Sequence, residues 1–91
     1  VVVGEHGVVD HDHVDRALIA LLAQRFAYMD AAARIKPERG AVRDEGRKAQ
    51  VIANACAEAR AVGIPESVIA DLWERLVEAS IASELVAFDR R

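Results

Sequence analysis

Apolar residues recur along this chain at the three-to-four-residue spacing of helices. Val14, Leu18, Leu21, Leu22, Met29 and Ala32 form one stripe, the mark of an amphipathic helix. Asp10 suits the N-cap, and Pro37 disfavours helical geometry at Lys36, so the spacing predicts a first helix from about 10 to 36. At 1.5 Å per residue that helix is about 39 Å long. The segment PERGAV, residues 37 to 42, then reads as a loop. Asp44 can cap a second helix running to about Val62, with Gly46 a weak point in its first turn and Gly63 supplying the left-handed residue after its end. Pro65 suits the first turn of a third helix, about 65 to 89. Its apolar positions include Val68, Ile69, Leu72, Trp73, Leu76, Val77, Ile81, Leu85 and Phe88. Residues 1–9, VVVGEHGVV, are Val-rich but broken by Gly4 and Gly7, and no partner strand is visible, so they are expected to form an irregular arm. The fold class is all-α: one three-helix protomer, long, medium and long, in a single domain spanning 1–91.

Composition adds a constraint. Of 91 residues 53% are apolar, but eighteen are alanine and only four are aromatic. Alanine favours helix and buries little, and a chain this short has a marginal core of its own. The long first helix exceeds what its shorter neighbours can cover. Burial shared with a second copy, a homodimer, is the expectation.

Several function classes drop out. A net charge of −3 and a pI near 5.5 argue against nucleic acid as the main partner. No apolar run is long enough to span a membrane. A single cysteine, Cys56, excludes an internal disulfide framework and a multi-cysteine zinc site, and its alanine-rich surroundings mark it as an inert packing residue. No basic-then-apolar leader pattern opens the chain, so a cytoplasmic location is the default. His6, His11 and His13 with Asp10 and Asp12 have the composition of a metal patch but no coherent ligand spacing, and no metal is expected. Neither a glycine-rich phosphate loop nor a nucleophile elbow is present.

The informative residues are those that interrupt the stripes. Arg25 and Lys36 lie eleven residues apart, three helical turns plus about 20°, so they share a face. Met29 and Ala32 lie between them as a small apolar floor. The two cations either snorkel to solvent at the stripe edge or converge on one ligand. Asp44 at the second helix start suits the helix dipole, whereas Arg47 and Lys48 oppose it; such a cation is either a tolerated surface residue or is placed for an anion. On the third helix Ser80 and Glu84 continue the line of Trp73, Leu76 and Val77. A glutamate on an apolar line is costly to bury ionised, so it either faces water or stays protonated.

These features together resemble the all-helical chorismate mutase family. The resemblance covers roughly residues 14 to 89: VDRALIALLAQR (14–25), AAARIK (31–36), VRDEGRKAQV (42–51) and LWERLVEASIASEL (72–85). Its specific elements are Leu-Leu-Ala-x-Arg at 21–25, Lys36 eleven residues on, Val-Arg-Asp-x-x-Arg at 42–47, and the Ser80/Glu84 pair. The resemblance implies an intertwined homodimer and a pocket for chorismate, whose rearrangement to prephenate feeds aromatic amino-acid synthesis. It implies that Arg25 binds a carboxylate, that Lys36 reaches the substrate's ether oxygen and a carboxylate, and that Asp44 and Arg47 meet the hydroxyl and a carboxylate. Ser80 matches a polar pocket residue. Glu84 takes a position usually held by glutamine, in some members by glutamate, that donates a hydrogen bond to the ether oxygen.

The chemistry suits this assignment. Rearranging a dianion needs no nucleophile, metal, cofactor or proton transfer, only a reactive conformation and stabilisation of charge developing on the breaking ether bond. The chain departs from the family pattern in two places. A further arginine, 17 residues before the position of Arg25, would fall on Val8, and no arginine precedes Arg16. A glutamate that commonly follows the second-helix arginine is here Lys48. Two other readings compete: isochorismate–pyruvate lyase of the same fold, which Tyr28-Met29 and the segment 32–36 also resemble, and a non-catalytic helical dimer.

Overall fold

Two local breaks, at Pro37 and Gly63, divide the chain into the expected long, medium and long helices. The computed structural model describes residues 11–91 and contains α1 (His11–Ile35), a short 3-10 turn (Arg39–Ala41), α2 (Glu45–Ala61) and α3 (Glu66–Asp89). The arm over 1–9, the cap at Asp10 and position 8 lie outside the described residues. Asp44 caps α2 as anticipated: its backbone is extended and its Oδ1 accepts from the Arg47 N–H at 2.9 Å. Gly63 has φ +81°, the left-handed region that glycine enters without a Cβ penalty.

The segment 37 to 42 is more ordered than its composition suggests. Ala41 N–H donates to Glu38 O and Val42 N–H to Arg39 O, both at 3.1 Å. This tight turn tucks Val42 into the core with Val77 and Ile81, flanked by Val51, Ile52, Trp73, Leu85 and Phe88. The core thus sits where the link and the start of α2 meet the second half of α3.

The third helix is the organising element. Both α1 and α2 pack on α3, and among the described residues they do not pack on each other. The buried residues follow that pattern: Ile69, Val77, Ser80, Ile81 and Glu84 on α3, against Ala33 alone on α1 and Ala59 alone on α2. Much of the α1 stripe is left uncovered, with Leu18 and Leu21 exposed at 53% and 61%. The radius of gyration is 16.3 Å, against about 12 Å for a compact globule of this length. No helix among the described residues is long and apolar enough to cross a membrane.

A charged cluster fastens α2 to α3. Arg43 Nη2 and Nη1 donate to the two oxygens of Glu78 at 2.8 and 2.9 Å. Lys48 Nζ reaches Glu78 at 2.7 Å and Glu74 at 2.6 Å. The Arg43 hydrogen bonds, then those of Lys48, hold the Glu78 carboxyl down from 4.5 to about 2. A carboxyl depressed on folding stabilises the fold above its unfolded value, and the contribution disappears as pH falls through its folded value. Glu78→Gln should therefore melt earlier than wild type at pH 7, with the gap closing between pH 4.5 and 2. Thermal melts at pH 7, 4 and 2.5 check this; a gap as wide at pH 2.5 as at pH 7 would place the effect elsewhere.

Candidate active site

All eight residues singled out by spacing and resemblance line one cavity. Arg25, Met29, Ala32 and Lys36 come from α1, Asp44 and Arg47 from the start of α2, and Ser80 and Glu84 from α3. The cavity volume is about 470 Å³, within the range of small-molecule sites. Sequence spacing left open whether Arg25 and Lys36 face solvent or converge. They converge because α3 crosses α1 against this face: Arg25 meets Ser80 while Lys36, three turns on, meets Glu84 only four residues further along α3.

Each wall has a physical reason. Ser80 is buried and its Oγ donates back to Leu76 O at 2.7 Å, leaving its lone pairs to accept from Arg25 Nη1. Partial burial draws the Arg25 guanidinium below its ordinary value, yet it remains a cation at neutral pH. Asp44 does two jobs at once, capping α2 and presenting its carboxylate to the cavity.

The water-facing alternative for Glu84 does not hold. Its side chain is 4% exposed and its Oε2 forms an ion pair with Lys36 Nζ. That contact is charge to charge: Oε2 has no hydrogen-bond partner of proper geometry. A buried carboxylate oxygen in that condition is costly, and it is directed at the ammonium inside a cavity able to take a ligand.

The two cations that oppose the α2 dipole have different fates. Lys48 also lines the cavity, but Glu74 and Glu78 engage its ammonium, and their hydrogen bonds push its pKa up. Among the described residues the Arg47 guanidinium donates only to the neutral Gln50, at 3.2 Å. Among the described residues Arg25 and Arg47 are thus cavity-lining guanidiniums with no carboxylate partner. They stand on different helices, and the Lys36/Glu84 pair is a further polar point of the same lining.

The match to known proteins bears on what this cavity is. Residues 10–85 match the family described as chorismate mutase type II. The chain belongs to that family. A T-protein of Enterobacter agglomerans is 34% identical over 74 residues, covering 80% of this chain and 20% of its own length. This chain therefore spans about a fifth of the length of that curated relative. No solved structure matches.

Within this family member the residues not singled out in advance are mostly apolar walls. Ala41, Val42, Val51, Val77 and Ile81 complete the lining. Val77 and Ile81 belong to the α3 stripe, so their signal was present but indistinguishable from ordinary core. Among the described residues no cluster of three His, Cys, Asp or Glu is placed to hold a metal ion.

Proposed function

We propose that this chain is a chorismate mutase, rearranging chorismate to prephenate within the route to aromatic amino acids. The observation that carries the reading is the pair of guanidiniums without carboxylate partners, Arg25 and Arg47, in one cavity with Lys36 and Glu84. A substrate with two carboxylates supplies what they lack. Arg25 takes one carboxylate and Arg47 the other, with Asp44 accepting from the hydroxyl. Lys36 stabilises negative charge as the ether bond breaks, and Glu84 in its protonated form donates to the same oxygen. Met29 and Ala32 form the floor against the carbocyclic ring, and Ser80 orients Arg25. The catalytic gain comes from holding the extended dianion in its reactive shape and from electrostatics aimed at the ether oxygen.

The same reading includes a homodimer. The uncovered stripe of α1, with Val14, Leu18 and Leu21 exposed, and the elongated shape support a second copy packed along that helix. Light scattering at micromolar concentration should return twice the 9.9 kDa chain mass; a monomer mass overturns it. The function is tested by incubating the purified protein with chorismate and, separately, with isochorismate. Prephenate from chorismate supports the proposal, salicylate and pyruvate from isochorismate alone would make it a lyase, and no turnover of either would leave a non-catalytic member of the fold.

A further inference from the structure

We propose that Arg91 is a positioning residue for Lys36, an assignment whose catalytic consequence rests on the mutase reading. The argument begins with Pro37. In a continuing helix the carbonyl of Ala33 accepts from the N–H of residue 37, and proline has none. Ala33 is fully buried, so its carbonyl would be orphaned where water cannot repair the loss. The structure supplies the donor from the far end of α3: Arg91 Nη1 lies 3.3 Å from Ala33 O, 3.5 Å from Arg34 O and 2.6 Å from Lys36 O. A cation at the last turn also suits the helix dipole.

That guanidinium is itself anchored. It stacks over the Phe88 ring, 3.7 Å from its centroid, and Phe88 packs against the core around Val42, Val77 and Ile81. Beside it Arg39 pairs with Asp89 at 3.0 and 3.3 Å, tying the link after Lys36 to the same end of α3. Lys36 is therefore gripped twice: its carbonyl by Arg91, just past the end of α3, and its ammonium by Glu84 within that helix. Arg91 is not among the residues lining the cavity, so any effect it has on the reaction passes through Lys36.

The test uses Arg91→Met, which keeps an unbranched side chain over Phe88 and removes the donors. With chorismate, kcat should fall roughly ten-fold while KM changes less than about two-fold, because a small displacement of one transition-state group is felt mainly in the chemical step. In a Lys36→Met background the same substitution should leave kcat unchanged. Equal losses in both backgrounds, or no loss in either, overturn the proposal. A second readout does not depend on activity. Lys36 and Lys48 are the only lysines in the chain, so 13Cε-lysine labelling gives two NMR signals. Arg91→Met should shift the Lys36 signal and leave that of Lys48 in place; an unmoved Lys36 signal overturns the assignment. Should the wild type fail to convert chorismate, the mutase reading falls and this spectrum still decides the positioning role. Arg91→Lys, which retains a cationic donor, should give intermediate values in both measurements, and it stands in if the Met variant does not fold.

Discussion

Replacing Lys36 by alanine should lower kcat by about 10²–10³, the loss seen when one donor to a developing oxyanion is removed. On the proposed reading the ammonium contributes most where charge grows, on the ether oxygen, so its removal should act on the chemical step more than on substrate affinity. Arg25→Ala should do the reverse. On the proposed reading its guanidinium meets a carboxylate that is charged in ground state and transition state alike, so KM should rise by a comparable factor while kcat changes less. A structural complication accompanies Lys36→Ala. Glu84 stays buried and loses its charge partner, and breaking one side of a buried pair costs roughly 3–5 kcal/mol unless the carboxyl takes up a proton. The Lys36→Ala/Glu84→Gln double variant removes that orphan. It should regain melting temperature relative to Lys36→Ala without regaining kcat. If kcat returns along with stability, the loss in the single variant came from folding and Lys36 has no part in the chemistry.

The helices were legible because their punctuation is local. Asp44, Pro37, Gly63 and Pro65 act on their own or adjacent backbone groups, and the ends observed fall within one or two residues of those they predict. The shared face of Arg25 and Lys36 was legible for the same reason, since spacing along a helix is arithmetic. What spacing could not give was the neighbour across that face. Whether the two cations snorkel or converge depends on where α3 crosses α1, and Glu84 looked equally at home in water until that crossing buried it. The fasteners were invisible for a related reason. Arg43 with Glu78 is 35 residues apart in sequence, Arg39 with Asp89 is 50, and Arg91 with the end of α1 is 55 to 58. Each is a long polar side chain near a helix end, and such residues are ordinarily solvated. The 3-10 turn that buries Val42 was hidden inside a stretch whose Pro, Gly and charge read as loop. Family resemblance suggested roles for the cavity residues, but it carried no sign of Arg91 or of the Glu74/Glu78 hold on Lys48.

Glu84→Gln should raise activity at pH 7 to 8. An ionised carboxylate has no proton to donate, and beside an oxygen gaining negative charge it repels. The groups around Glu84 are Lys36 from α1 and, across the cavity, Arg25 on α1 with Asp44, Arg47 and Lys48 at the start of α2. Glutamine is nearly isosteric, presents a donor at every pH, and leaves Lys36 free to turn fully toward the ether oxygen. The usable window has a floor, because the Arg43/Lys48 hold on Glu78 weakens as pH falls from 4.5 toward 2. Profiles measured from pH 5 to 9, with melting temperature followed at each point, keep chemistry apart from unfolding. A Gln variant no faster than wild type across that range would show that Glu84 serves only to hold Lys36.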